Sequence, residues 1–301
     1  MASLDSTDVT APDGTRIRRW ERAPAAATEA VVFVHGATYG GRSAFDPEGV
    51  SWLAAVARAG RAAYAVDVRG YGDSGHPPEL DAPAGEHDPV VRASTAAGDV
   101  AAALDDVCEA YETVHLVGYS WGTIISGHVL TEQRDDLASL VQYAPVYRPP
   151  EASREEFATP ERLAAYRTVT RAEARERWAD QRPDDAPEEA FAAFWDALVA
   201  SDQRVDDDVI RAPNGTYADL RAAIDAPPYD PGAIDLPTLV VRGSLDTAST
   251  RPDALALYDD LAAPDRTYAE VSGGTHFLQF EPRREALYGT VRSFHDRIGG
   301  D

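Results

Sequence analysis

Gly118-Tyr119-Ser120-Trp121-Gly122 is the stretch whose reading decides the fold of this chain. It spells G-x-S-x-G. An apolar run (Val114, Leu116, Val117) leads into it, and Thr123-Ile124-Ile125-Ser126-Gly127-His128-Val129-Leu130 can continue beyond it as a helix. A serine on such a strand–turn–helix corner sits in a strained backbone conformation with its hydroxyl pointing out of the turn. The flanking residues must be small, because strand and helix nearly collide there. The bare motif also arises by chance at ordinary turns. The strand before it and the helix after it are what distinguish this one.

Working outward, Ala30-Val31-Val32-Phe33-Val34, Ala62-Ala63-Tyr64-Ala65-Val66 and Leu140-Val141-Gln142-Tyr143-Ala144 read as further strands. Continuous apolar runs of this kind suit strands covered on both faces. Between them, Ser51 to Ala59 reads as a helix, and Ser94 is placed to cap another that runs to about Tyr111. Asp13-Gly14 marks a hairpin turn near the start of the chain. Residues 30–145 therefore alternate strand and helix, which predicts an α/β fold with a doubly wound, mostly parallel sheet. The alternation stops at about residue 147. From there to 233 the sequence is charged, arginine-rich and helix-favouring. Aromatics (Tyr166, Trp178, Phe191, Phe194, Trp195) are interspersed, and prolines punctuate it at Pro149, Pro150, Pro183, Pro187, Pro213, Pro227 and Pro228. The sheet pattern resumes at Thr238-Leu239-Val240-Val241, with a helix from about Pro252, a strand over Arg266 to Val271 and a last helix from about Pro282 to Ile298. The expected organisation is a core of residues 1–146 and 234–301, interrupted by a helical insertion over 147–233.

A serine hydroxyl is a poor nucleophile at neutral pH. It needs a base within hydrogen-bond reach, and that base needs an acid to fix its tautomer and stabilise its cation. In an open parallel sheet, ligand chemistry collects beyond the carboxyl ends of the strands, so each partner should follow a strand. Asp246 follows Leu239-Val240-Val241-Arg242-Gly243, and His276 follows Tyr268-Ala269-Glu270-Val271 inside Ser272-Gly273-Gly274-Thr275. Asp246 is equally suited to forming a turn or capping a helix, and His276 to being a plain loop histidine. No other acid is as well placed: Asp235 precedes its strand, and Asp225 lies in the insertion.

Four segments together resemble the α/β-hydrolase-fold enzymes over almost the whole chain. They are Val34-His35-Gly36-Ala37, Asp67-Val68-Arg69-Gly70-Tyr71-Gly72-Asp73-Ser74-Gly75, the Gly118–Gly122 motif, and Gly243-Ser244-Leu245-Asp246 with Gly274-Thr275-His276-Phe277. The resemblance implies a catalytic triad of Ser120, Asp246 and His276, in the chain order usual for this fold. It implies an oxyanion hole from the backbone N–H groups of Trp121 and of Ala37, with Thr38 as the other choice for the second donor. It also implies that the insertion is a helical cap or lid. His35-Gly36-Ala37-Thr38-Tyr39-Gly40-Gly41 departs from the His-Gly-Gly-Pro-Gly of relatives that cleave N-terminal proline peptides, which weakens that assignment. The activity implied is serine-dependent hydrolysis of a small or medium carboxylic ester, with no metal or organic cofactor. Hydrolysis of a thioester or a carbon–carbon bond by the same triad stays open, as does a ligand-binding protein that has kept the fold without catalysis. Relatives that dehalogenate or open epoxides place an aspartate where this chain has Ser120.

Among the other polar residues, His35 is expected to order the loop beside the site. Asp67, Arg69, Asp73 and Ser74 are expected to fix a sharp loop through charge-assisted hydrogen bonds. His115 and His128 are read as packed or capped within their elements, and His76, His87 and His295 as surface residues. Arg167, Arg171 and Arg175 recur every four residues, which puts them on one face of a helix; such a face can grip a carboxylate, but an exposed face paired with nearby glutamates is the more economical reading. For each of the insertion's aromatics, a place in a small core is the more economical reading than a place in a substrate pocket.

Composition bounds the remaining possibilities. The 301 residues are 44% hydrophobic and carry a net charge of −23. All 28 basic residues are arginine. The acids are scattered, as on a solvated surface that stays soluble in concentrated salt. No basic stripe exists to neutralise phosphates, which argues against nucleic acid as a partner. A single cysteine, Cys108, leaves no intramolecular disulfide and no thiolate metal cluster, and the histidines lack zinc-ligand spacing. Met1 to Thr10 has no apolar segment of the kind that leads a secreted chain, and no window approaches the roughly 18 apolar residues of a membrane span. The expected setting is cytoplasmic, away from membranes, with a small ester-like molecule as partner. Oligomeric state is not readable from the sequence.

Overall fold

The structure, a computed structural model, describes residues 2–134, 136–149, 163–181, 188–202 and 208–299. Pro150, Pro183 and Pro187, three of the prolines that punctuate the insertion, lie outside these residues.

The chain opens with the expected hairpin, β1 (Asp5–Thr10) and β2 (Arg16–Arg22), paired antiparallel. Then come β3 (Glu29–Val34), the short helix α1 (Gly41–Phe45), α2 (Trp52–Arg58), β4 (Ala62–Asp67), α3 (Ala93–Ala110), β5 (Thr113–Tyr119), α4 (Trp121–His128) and β6 (Ser139–Tyr143). Ser51 caps α2 by accepting from Ala54 N–H at 2.8 Å. Ser94 does not cap α3. That helix starts one residue earlier, at Ala93, with Arg92 in the cap position. Its free Ala93 N–H is taken at 2.7 Å by the Asp219 carboxylate, which arrives from far along the chain.

Beyond β6 the chain leaves the sheet. Its described part contains β7 (Tyr166–Thr170), α5 (Arg171–Asp180), α6 (Glu188–Ser201), β8 (Val209–Pro213) and α7 (Gly215–Asp225). β7 and β8 form a two-stranded antiparallel sheet, which the helical reading of this segment missed. Arg167 therefore sits on a strand, and only Arg171 and Arg175 share a helix. Thr170 closes the strand and starts α5 with a reciprocal capping box: Thr170 Oγ1 accepts from Glu173 N–H at 3.1 Å, and Glu173 accepts from Thr170 N–H at 2.7 Å. The chain then returns to the main sheet through β9 (Thr238–Gly243), α8 (Arg251–Asp260), β10 (Arg266–Val271) and α9 (Arg284–Gly299).

The main sheet has eight strands in the order β1-β2-β4-β3-β5-β6-β9-β10. All pairs from β4 onward are parallel, and β1 and β2 add an antiparallel edge. Side chains of a strand alternate between faces, and the two layers of core follow that alternation. Val32, Val34 and Leu116 pack with α3 and α4 residues such as Val100, Leu104 and Ile124. Val31, Phe33 and Val117 pack on the other face with Trp52 and Leu53 of α2 and Val291 and Phe294 of α9. The central strands are thus covered twice, which is why their sequences are unbroken apolar runs. A third cluster joins α5 and α6 (Trp178, Phe191, Phe194, Trp195) to Val50 and to Phe277 and Phe280 of the loop beyond β10. Cys108 is half-buried against the first layer. No helix among the described residues is long and apolar enough to cross a membrane.

Candidate active site

Ser120 occupies the corner between β5 and α4 with φ 53° and ψ −121°, a conformation L-residues rarely adopt. The corner is tight on both sides. A Cβ at Gly118 would lie 2.6 Å from the carbonyl oxygen of Gly122, and one at Gly122 would lie 2.3 Å from that of Val34. Only glycine lets helix, corner and neighbouring strand approach this closely. The Ser120 N–H donates to Tyr143 O at 3.0 Å, which ties the corner to the end of β6.

Asp246 and His276 follow β9 and β10, and the strand ends bring both to Ser120. His276 Nε2 is 3.0 Å from Ser120 Oγ, and His276 Nδ1 lies 3.0 and 3.1 Å from the two carboxylate oxygens of Asp246. Both partners are buried, while the serine is half-buried. Asp246 also shapes its own turn: Oδ1 accepts from Ala248 N–H at 2.9 Å and Ser249 N–H at 2.8 Å. The two readings of this residue are therefore compatible, since the turn aims the carboxylate.

Several residues that sequence reasoning did not single out hold these three in place. Buried Arg242 donates to Asp246 O at 2.8 Å and Ser249 O at 2.7 Å, clamping the acid's turn, and reaches Glu270 at 2.6 Å. The Tyr119 hydroxyl donates to His276 O at 2.9 Å, while the Tyr143 hydroxyl donates to Gln279 Oε1 at 2.6 Å. These two tyrosine rings stack, 4.9 Å apart. Asp219, on α7, accepts from the Trp121 indole at 2.9 Å as well as capping α3. It ties the residue after the serine to the segment outside the sheet. Tyr119 could have been noticed as the variable position of the motif. The partners of Arg242 and Asp219 are too distant in sequence to leave a local signal.

Trp121 is the first residue of α4, where a helix N–H has no intrahelical acceptor. Ala37 and Thr38 line the same cavity as Ser120. Thr38 has φ 79°, and its hydroxyl accepts from Arg167 at 2.6 Å. Beside that loop, His35 is buried: its Nδ1–H donates to Gly36 O at 2.8 Å, and its Nε2 accepts from Val68 N–H at 3.3 Å. Burial pushes its pKa down to about 4, so the ring is a neutral brace at pH 7. Asp67 is also buried. It accepts from the Trp20 indole at 2.8 Å and Gly41 N–H at 2.6 Å, and burial pushes it up to about 7. Arg69 pairs with Asp99 at 2.6 Å, and Ser74 donates to Asp67 O, so these groups fix the loop after β4 and do not enter the cavity.

The cavity has a volume of about 150 Å³. Ser120 and His276 lie on its wall with Ala37, Phe194, Phe277 and Arg177. Phe194 thus serves both the third core cluster and the cavity, while Trp178 stacks on Phe277 at 5.1 Å. Of the remaining histidines, His295 is not on the surface. It is buried on the far side of the sheet, stacked on His115 with ring centroids 4.1 Å apart. His76 is exposed and pairs with Asp81 at 2.9 Å, and His87 is half-buried. No group of three or more His, Cys, Asp or Glu side chains among the described residues is arranged to hold a metal ion.

The chain belongs to the alpha/beta hydrolase family, whose model matches residues 31–287. No curated protein matches it. Among solved structures it resembles an esterase from Exiguobacterium antarcticum, with a TM-score of 0.69 and 18% identity over 97% of this chain and 100% of that one. A thermophilic esterase from Thermogutta terrifontis gives a TM-score of 0.68 and 16% identity over 98% and 99% of the two chains. An epoxide hydrolase from Vigna radiata is equally similar in shape, with a TM-score of 0.68 and 16% identity over 98% of each chain. Identities this low speak for the fold alone. The α/β fold with a mostly parallel sheet, expected from the strand–helix alternation, is the fold of this family.

Proposed function

We propose that this hydrolase cleaves small or medium carboxylic esters through an acyl-enzyme on Ser120. The single observation that carries the reading is the relay: Ser120 Oγ 3.0 Å from His276 Nε2, with the opposite ring nitrogen 3.0 Å from a buried Asp246 carboxylate. Asp246 accepts the Nδ1–H and so leaves Nε2 free to take the serine proton. Ser120 Oγ bonds to the ester carbonyl carbon, and the proton moves to His276. As the C–O bond breaks, His276 returns that proton to the departing alcohol. A water, deprotonated by the same ring, then releases the acid. The Trp121 and Ala37 N–H groups would hold the oxyanion, each contributing about 2.7–4 kcal/mol to the transition state.

We take residues 147–233 as a cap over this site. The third apolar cluster supports this, because it seats α5 and α6 on the His276 loop. We read the charge of −23 as a salt-adapted surface. A panel of nitrophenyl esters of graded chain length, assayed in molar salt, tests the function together with a fluorophosphonate probe. Ser120→Ala should lose labelling and lower kcat on the order of 10⁶-fold, with thermal stability nearly unchanged. Retained ester hydrolysis by that variant rejects the assignment.

A further inference from the structure

The cavity beside Ser120 has a distinctive charge. Among its described lining residues there is no aspartate or glutamate, in a chain that has 51 of them. Its one arginine is Arg177 of α5, which is half-buried. Many arginines elsewhere are paired with carboxylates, as in Arg22–Asp46 at 2.7 Å, Arg69–Asp99 at 2.6 Å and Arg134–Asp136 at 2.6 Å, while Arg42 and Arg167 bond to carbonyl, amide or hydroxyl oxygens. Arg177 has no close ion pair or hydrogen bond among the described residues, although its charge helps to hold down the Glu173 carboxyl four residues back on α5. Its charge also acts on the Tyr39 hydroxyl, opposing the burial that pushes that group up to about 12. This places the guanidinium near the loop that follows β3.

A second unspent group lines the same cavity. Gln279 is 1% exposed, and its Oε1 is occupied by the Tyr143 hydroxyl at 2.6 Å. That bond orients the amide, and its buried Nε2–H₂ has no acceptor among the described residues. A buried donor without a partner is costly, so one kept beside a reactive serine points to an acceptor supplied by the ligand. A guanidinium without a close carboxylate and an amide donor without an acceptor, lining one cavity, match a carboxylate, whose oxygens take a guanidinium fork and a further N–H; Gln181, whose buried Oε1 also lacks a partner among the described residues, lines it too.

We propose that Arg177 and Gln279 form a carboxylate subsite, so that the preferred ester carries a free carboxylate, as a half-ester of a dicarboxylic acid does. This rests on the serine-hydrolase reading of the same cavity. The test compares mono-4-nitrophenyl glutarate with 4-nitrophenyl valerate, which match in chain length and differ in the terminal carboxylate. The half-ester should have the higher kcat/KM by about tenfold or more. Arg177→Met should collapse that ratio by about 10- to 150-fold, the range for one charge-assisted contact, mainly through KM of the half-ester. Arg177→Lys should restore part of it. Arg171→Gln, on an exposed position of the same helix, should leave the ratio alone. A wild-type ratio near one, or equal losses on both esters in Arg177→Met, overturns the subsite and leaves the serine mechanism standing. Cleavage of neither ester also overturns the subsite. Fluorophosphonate labelling of Ser120 then shows whether the serine reading survives or falls with it.

Discussion

At the rim of the parallel sheet, Ser120 and Asp246 stand just past buried strands and His276 just past the partly exposed edge strand β10, and backbone geometry delivers them to one point. Between β6 and β9 the groups that reach the same cavity are delivered differently. Arg177, Phe194 and Tyr217 come from three helices set by side-chain packing: α5 and α6 by the cluster of Trp178 and Phe191 with Phe277 and Phe280, and α7 by Leu220 in the first core layer. The rim is anchored by a sheet whose central strands are covered on both faces, whereas the second region is held by a small apolar cluster shared with its neighbour and by a few residues, Leu220 and Tyr229 among them, on the first core layer. A rim of this kind suits chemistry, which tolerates little displacement of reacting atoms. A region held by less apolar packing suits substrate selection, where side chains can change while the chemistry stays.

The sharpest way to break this contrast is Asp246→Asn. The isosteric amide keeps Oδ1 for the Ala248 and Ser249 N–H groups, so the turn should survive. It removes the charge facing His276 Nδ1 and favours the wrong tautomer. We expect kcat to fall on the order of 10⁴-fold with little change in Tm. A drop of less than tenfold would mean that the carboxylate only shapes its loop, and the rim would lose its claim to the chemistry.

Trp178→Ala is the complementary experiment in the other region. The indole is buried and touches Phe191, Phe194, Phe277 and Phe280. Its removal should destabilise the protein by about 3–5 kcal/mol, read by denaturant unfolding. Because Phe277 follows His276 directly, some loss of kcat/KM should accompany this, but well short of that for Asp246→Asn. If the two variants lose turnover equally, positioning of the rim depends on the outer segment and the division of labour fails.

The two regions also differ in how far they can be read from sequence. β3, β4, β5 and β9 are buried on both faces, so each appears as an apolar run, and the three site residues follow such runs or a glycine-rich turn. β7 reads Tyr-Arg-Thr-Val-Thr with only Val169 fully buried, and helix-favouring residues follow at once. Its strand state comes from pairing with β8 some forty residues on, a contact with no local signature. The same cause hid the cap on α3, which is Asp219 and not Ser94, and the burial of His295, whose stacking partner His115 lies on β5. The unspent state of Arg177 and Gln279 is likewise a property of the assembled cavity, since it depends on which partners each side chain fails to meet.

Acid should separate the two regions by a smaller effect, because all seven histidines lie outside residues 147–233. His115 and His295 stack beneath the sheet, with Arg61, Glu29 and Asp296 as the charged groups around them. Burial first, and then neighbouring positive charge, lowers both: His115 to about 4, and His295 well below its ordinary value. An unfolded histidine titrates near 6.5, so as pH falls the unfolded chain takes up these protons before the folded one does. The stability that the pair protects is therefore complete above about pH 6.5 and is lost as pH falls toward 4. Asp67 acts in the opposite sense. Its folded value near 7 exceeds its unfolded one, so below pH 7 the folded state gains from its protonation. Subtracting a variant with Asp67 intact cancels that contribution. His295→Phe keeps an aromatic ring for the stack and removes one titrating group, so its loss of stability between pH 7 and 4.5 should be smaller than that of wild type. Melting curves across that range measure the difference. A parallel fall in the two proteins would move the acid sensitivity out of the histidine stack.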